Sequence, residues 1–200
     1  MTKIAIFASG SGSNAENIAN YFRHNQEIEV ALIVSNKPDA FVHQRAKQID
    51  LKSFTFSKKQ FSETNDVTNF LAESQIDFIV LAGFLLKVPE SIIQKYPNRI
   101  VNIHPALLPR HGGKGMYGDH VHEAVVEAGD KESGITIHYI NENYDEGDII
   151  FQASCEVTPE NTPHQVAEKV HALEYKYFPE VIEKVIAALP GTLSLAKVKN

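Results

Sequence analysis

Strand-like and helix-like stretches alternate along the first hundred residues, and nothing else constrains the fold of this chain as tightly. Residues 3–8 are a short apolar run, small residues fill 9–13, and 14–22 carries helical spacing. Residues 28–35 and 52–56 read as strands, with a helical stretch at 40–49 between them. Residues 65–73 read as a helix, 77–81 as a strand, and 89–95 as a short helix with Pro89 in its first turn. A β-branched, apolar strand follows over 99–103. Strands separated by helices cannot be joined by tight hairpins, so they align in parallel and the helices cover both faces of the sheet.

The pattern changes after residue 104. A Gly-rich stretch occupies 111–118, and a helix over 119–127 is stopped by Gly129. Residues 134–140 and 148–157 alternate like an antiparallel pair. A long helix starts near Thr162-Pro163, with Val166, Val170, Leu173, Tyr177, Val181 and Val185 as its expected buried stripe. Pro190-Gly191 is its expected end, followed by a loosely held extension. Repeats and linkers are absent from the sequence, so a single domain is expected over 1–200: a parallel βα half (1–103), then a loop, antiparallel strands and a long helix (104–200). The fold class is α/β, Rossmann-like, with a mostly parallel sheet, helices on both faces and an antiparallel C-terminal part.

A chain of 200 residues with 43% hydrophobic content can bury a real core. Its formal charge of −6 argues against a general nucleic-acid surface but leaves room for a local basic pocket around a phosphate. The single cysteine, Cys155, forbids an internal disulfide and fits a reducing compartment. Lying in the apolar run 149–157, it is expected to be a core residue and not a nucleophile. The first residues lack the apolar stretch of a signal peptide, and no apolar run reaches the roughly 18 residues that span a bilayer. The expectation is a cytoplasmic soluble protein with neither nucleic acid nor membrane as partner.

The sequence Asn102-Ile103-His104-Pro105-Ala106-Leu107-Leu108-Pro109 puts a carboxamide and an imidazole at the end of a strand. They flank one apolar residue, so they point to the same side. Further on, Tyr144-Asp145-Glu146-Gly147 offers a carboxylate in a Gly-bearing turn that could orient the imidazole across a cleft. Singly, each has a plain structural role: a satisfied histidine, a turn-forming Asn, an Asp in a turn. Together, an amide donor, a general base and a carboxylate suit acyl-type transfer.

Ser9-Gly10-Ser11-Gly12-Ser13-Asn14 joins the first strand to the first helix. Small residues let backbone N–H groups approach an anion, and the helix N-terminus favours negative charge. Ser13 and Glu16 are spaced for a capping box. The plain alternative is an ordinary tight turn. Gly10-x-Gly12-x-x-Ala15 imitates a dinucleotide fingerprint, but the second strand ends at Asn36 without the acid that binds a ribose diol, and no Gly-Lys-Ser/Thr is present. A single phosphate monoester is the better ligand. Ligands of open parallel sheets gather at the C-terminal strand ends, where this loop, residues 82–88 and the Asn102/His104 pair would share one rim.

Other groups point to less. His120 and His122 lie at i and i+2 of a helix, on different faces, with no Cys or acidic cluster to complete a metal set; a solvated or phosphate-facing helix start is expected. Lys58-Lys59 reads as a solvated turn, with contact to an acidic ligand tail as the alternative. His171 and Glu174 lie just off the apolar stripe, surface residues by default and ribose contacts as the alternative.

Gly12-Ser13-Asn14, Leu81-Ala82-Gly83-Phe84, the 102–109 segment and Asp145-x-Gly147 resemble the phosphoribosylglycinamide formyltransferase family, folate-dependent enzymes of purine synthesis. The similarity runs from the first strand to about Pro179. It implies the formyltransferase fold, 10-formyltetrahydrofolate as formyl donor and co-substrate, no metal, and a phosphorylated ribosyl amine as acceptor, on a monomer or homodimer. Carried over, Asn102, His104 and Asp145 take the catalytic places, and Gly12, Ser13 and Asn14 the phosphate place. Glu174 takes the ribose place. Leu85, Leu86, Lys87 and Val88, with Asn102 and with Asn141, Glu142, Asn143, Tyr144 and Asp145, take the folate place. The sequence departs from the better-known bacterial members in a Gly-rich insertion at 111–118 bearing Lys114, and in Lys87 standing where an Arg is expected. The alternatives are another enzyme using the same folate (a hydrolase, or a formyltransferase acting on tRNA), a nucleotide-binding oxidoreductase, and a non-enzymatic nucleotide-binding module.

Overall fold

The structure is a computed structural model and describes residues 1–189. Five strands run parallel: β1 (Thr2–Phe7), β2 (Ile28–Ser35), β3 (Lys52–Thr55), β4 (Phe78–Leu81) and β5 (Ile100–His104). Two more, β6 (Glu132–Tyr139) and β7 (Ile149–Glu156), are antiparallel, completing a seven-stranded sheet of order β3-β2-β1-β4-β5-β6-β7. The helices are α1 (Ser13–Phe22), α2 (Val42–Gln48), α3 (Lys58–Ser62), α4 (Asp66–Glu73), α5 (Glu90–Lys95), α6 (Asp119–Glu127) and α7 (Pro163–Ala187). No helix among the described residues is long and apolar enough to cross a membrane.

The period-two geometry of β1 builds a core on each face. Ile4, Ile6 and Ala8 join Ala15 and Ile18 of α1, Val42 of α2, Val125 of α6 and Val170 of α7 on one side. Ala5 and Phe7 join Phe61 of α3, Val67 and Leu71 of α4 and Ile92 of α5 on the other. Strands buried on both faces must be apolar throughout, which is why β1 and β4 read as continuous runs.

Helix ends follow local chemistry. Gly129 adopts φ +66° after α6, and Gly129 and Asp130 donate N–H groups to Val126 and Val125, a Schellman stop. Thr162 and Gln165 form a capping box at the start of α7, with Pro163 just inside. Pro179 lies within α7 and has no N–H for the carbonyl of Tyr175. Asn17 of α1 supplies the missing donor at 2.9 Å, which ties α1 to α7.

Several expectations change. Lys58 and Lys59 begin a short helix capped by Ser57 and Gln60, although both stay exposed. β5 runs through His104, so the imidazole belongs to the strand. On α7, Leu173 and Tyr177 are only half-buried, while Glu174, Phe178 and Ile182 are buried. The helix packs against β6, α1 and α6 together, so its buried arc is broader than one stripe. Cys155 sits half-buried on the edge strand, not in the core, and burial pushes its thiol up. α7 ends at Ala187; Pro190-Gly191 and the extension lie outside the described residues.

Candidate active site

The strand order reverses between β1 and β4, so the loops leaving their C-terminal ends diverge and open a crevice. A cleft of about 540 Å³ lies there. Loop 10–14, residues 82–85, the end of β5, the Gly-rich segment 113–118, the Tyr144-Asp145 turn and the faces of α6 and α7 form its walls.

Ser9 knits the rim. Its N–H donates to Gly83 at 3.0 Å, its hydroxyl donates to Asn36 Oδ1 at 2.6 Å, and its Oγ accepts from the Leu85 N–H at 2.9 Å. Asn36, where a dinucleotide fold would place an acid, is spent on this structural bond. Gly12 is the N-cap of α1 at φ +75°, and a Cβ there would lie 2.3 Å from Val42 Cγ2. Only glycine lets α1 start in that conformation against α2. The expected Ser13–Glu16 capping box is not formed, because the cap falls at Gly12 and the Glu16 carboxylate pairs with Arg45. The first turn of α1 therefore opens into the cleft without a side-chain cap. Gly12, Ser13 and Asn14 all line it.

Asn102 and His104 do share one face of β5. Across the antiparallel register they sit opposite His138 and Thr136. His138 is a residue the sequence reading missed. It is almost fully buried, and its Nδ1–H donates to the Tyr139 carbonyl at 2.8 Å. Its Nε2 is therefore an acceptor, and the Asn102 amide donates to it at 3.0 Å. Burial pushes the His138 imidazole below its ordinary range, against the opposing pull of the Tyr139 carbonyl and Asp145. A neutral His138 fixes the Asn102 amide with one N–H left over. The available signal is the polar alternation of Thr136 and His138 within an apolar strand.

His104, 3% exposed, gives its Nε2–H to the His111 carbonyl at 2.8 Å. Its Nδ1 stands 3.7 Å from Asp145 Oδ2, close enough for electrostatic pairing but beyond a hydrogen bond. Asp145 also accepts the Gly113 N–H at 2.9 Å, and its Oδ1 lies 3.7 Å from His138 Nε2. The carboxylate sits at φ +57°, a left-handed conformation in which Asp is one of the few tolerated side chains. The base of the Gly-rich segment is thus fastened to the imidazole and to the carboxylate, a role for His111 and Gly113 backbone that no side-chain motif announces.

Glu174 is buried, not a surface residue. It accepts the Asn14 amide at 2.8 Å, and burial pushes its carboxyl up while that donor pulls it back. Asn14 Oδ1 and His122 Nδ1 are buried without partners among the described residues. Of the solvated or phosphate-facing positions expected for the start of α6, His120 takes the first and points to solvent, whereas His122 is 2% exposed and lines the cleft that loop 10–14 also lines. Burial, with His171 adding to it, pushes the His122 imidazole down to about 4. Of the expected folate residues, Leu85, Asn102, Tyr144 and Asp145 line the main cleft. Leu86, Lys87, Val88, Asn141, Asn143, Tyr144 and Asp145 line a small adjoining recess shared with Asn102. Glu142 lines neither.

The fold and the site define a Rossmann-like α/β protein built for group transfer, with an amide, an imidazole and a carboxylate on the wall of a cleft into which the uncapped first turn of α1 opens. Comparison with known proteins narrows this: the family described as formyl transferase matches residues 2–182, and the chain belongs to that family. It is similar to the chloroplastic phosphoribosylglycinamide formyltransferase of Arabidopsis thaliana, 39% identical over 90% of this chain and 64% of that protein. It is similar to phosphoribosylglycinamide formyltransferase of Bacillus subtilis (strain 168), 35% identical over 93% of this chain and 95% of that one. The crystal structure of phosphoribosylglycinamide formyltransferase from Bacillus halodurans superposes with a TM-score of 0.83 at 36% identity, covering 94% of this chain and 96% of that chain.

Proposed function

We propose that this chain transfers the formyl group of 10-formyltetrahydrofolate to the amine of glycinamide ribonucleotide, a step of purine biosynthesis. The observation that carries this reading is that Asn102, His104 and Asp145 line the same cleft as loop 10–14. The acceptor is anchored by its phosphate at Gly12, Ser13 and Asn14 and by its ribose at Glu174. Its amine then faces the formyl group of a folate seated along Leu85, Leu86, Lys87, Val88, Asn141, Asn143, Tyr144 and Asp145.

The amine nitrogen attacks the formyl carbon, a new C–N bond forms, and negative charge grows on the formyl oxygen. The Asn102 N–H not used by His138 donates to that oxygen. Collapse of the adduct breaks the bond between carbon and folate N10. The attacking nitrogen loses a proton and N10 gains one; Asp145 and His104 Nδ1 relay it, since Nε2 is held by the His111 carbonyl. No covalent intermediate with the protein is needed. The free, half-buried Cys155 supports a reducing, cytoplasmic setting.

The absorbance change of the folate, followed with and without glycinamide ribonucleotide, tests this. The expected result is conversion that requires the acceptor. Conversion at the same rate without it would make the protein a hydrolase, and absence of conversion in both would make it a binding module; either outcome refutes the reading.

A further inference from the structure

The cleft holds more negative than positive charge for a site that takes a phosphorylated acceptor. Asp119, Asp145 and Glu174 all line it. A phosphomonoester carries about −1.5 to −2 near neutral pH. Loop 10–14 answers with backbone N–H groups and the α1 terminus but with no cation of its own. The Arg45 guanidinium, which touches the loop, is spent: it donates Nε–H to the Ser11 carbonyl at 3.0 Å and pairs with Glu16.

Lys114 is the only Lys or Arg that lines the cleft among the described residues. Its side chain is exposed and pairs with no carboxylate among them. Its backbone, by contrast, is held. A turn closed by the Met116 N–H donating to the Gly113 carbonyl at 3.1 Å carries Lys114 at its second position. Gly113 and Gly115 flank it at φ +94° and +95°, conformations that other residues rarely adopt. The same segment is pinned at its base to Asp145 and His104. A fixed backbone carrying a free ammonium at the mouth of an anion site is the arrangement in which lysine serves as a point charge for phosphate.

We propose that Lys114 is the cation of the acceptor-phosphate subsite, closing over a phosphate cradled by loop 10–14. The assignment rests on the reading that the acceptor is a phosphorylated ribosyl amine. It makes Lys114 a determinant of acceptor specificity that acts on binding.

The test compares wild type with Lys114→Ala, Lys114→Gln and Lys114→Arg at constant ionic strength. For the phosphorylated acceptor, kcat/KM should fall roughly 10-fold in the Ala and Gln variants, the size of one lost charge-assisted contact, and the Arg variant should recover most of it. With the phosphate-free riboside as acceptor, the variants should match wild type. A loss of equal size on both acceptors, or a rise confined to the folate KM, would overturn the assignment, the latter moving Lys114 to the folate carboxylates. A second arm does not depend on turnover. Inorganic phosphate should raise the Tm of wild type and raise that of Lys114→Ala distinctly less. Equal shifts would refute Lys114 even if formyl transfer is confirmed, whereas a missing wild-type reaction with a Lys114-dependent shift would refute only the acceptor.

Discussion

His138 matters through another residue. Because its Nδ1–H is given to the Tyr139 carbonyl, its Nε2 can only accept, and this decides which way the Asn102 amide faces. That Asn102, His104 and Asp145 gather on one cleft is legible in sequence because two polar groups interrupt an apolar strand end and the third lies two residues before a turn glycine. His138 is not legible as their partner, because its role depends on the pairing of β5 with β6, residues far apart along the chain. The depth at which His122 lies is not legible for a similar reason. Its burial comes from α6 and α7 packing together, which local spacing does not reveal. That burial has a measurable consequence. Unfolded, His122 titrates near its ordinary value of 6.5; folded, burial holds it down to about 4, with His171 and His104 adding to the effect and Asp119 opposing it. Between those values the unfolded chain binds a proton that the folded chain refuses, so stability falls as pH falls, by up to about 1.4 kcal/mol per pH unit. Urea denaturation of wild type and His122→Gln from pH 7 to 4.5 should show the stability gap between them shrinking as the pH drops. A gap that stays constant would mean that His122 does not titrate in this window.

At the scale of elements, the 102–109 segment is held by a knot of polar groups under the turn. Thr136 Oγ1 accepts the Leu108 N–H at 2.9 Å and donates to the Ala106 carbonyl at 2.7 Å. Gln152 of β7 donates to that same Oγ1 at 2.8 Å and to the Leu108 carbonyl at 3.0 Å. Thr136→Val keeps the shape but strands several buried groups, so it should cost about 1–3 kcal/mol in denaturant unfolding; a loss under about 0.5 kcal/mol would show that the knot is replaced by other partners. The strands and longer helices are legible because periodicity accumulates over their length. The five-residue α3 is too short to show a period. The start of α1 is misassigned because a left-handed Gly12, set by contact with Val42, outcompetes the Ser-x-x-Glu signal, and Glu16 finds a better partner in Arg45. The buried arc of α7 is wider than its sequence stripe suggests because Glu174, polar yet buried, finds its donor in Asn14 on α1.

At the scale of the molecule, the alternation of strands and helices fixes a parallel sheet, the sheet order places a crevice between β1 and β4, and the crevice brings loop 10–14 to Asn102, His104 and Asp145. The rim position of these groups follows from topology, so it can be read before any side chain is placed. The path of residues 111–118 cannot, because its anchors are backbone groups of His111 and Gly113 that carry no sequence signal. In the mechanism we propose, formyl transfer depends on the imidazole and the carboxylate acting as a pair. Asn tolerates the left-handed backbone at position 145, so Asp145→Asn removes charge without adding strain. The most direct measurement is the single-turnover rate of formyl transfer, with both substrates saturating, in wild type, His104→Ala and Asp145→Asn. Each variant should be slower by roughly 10²–10⁴ while binding both substrates nearly as tightly as wild type. Rates near wild type in both variants would contradict the pairing of His104 and Asp145 as the chemical centre.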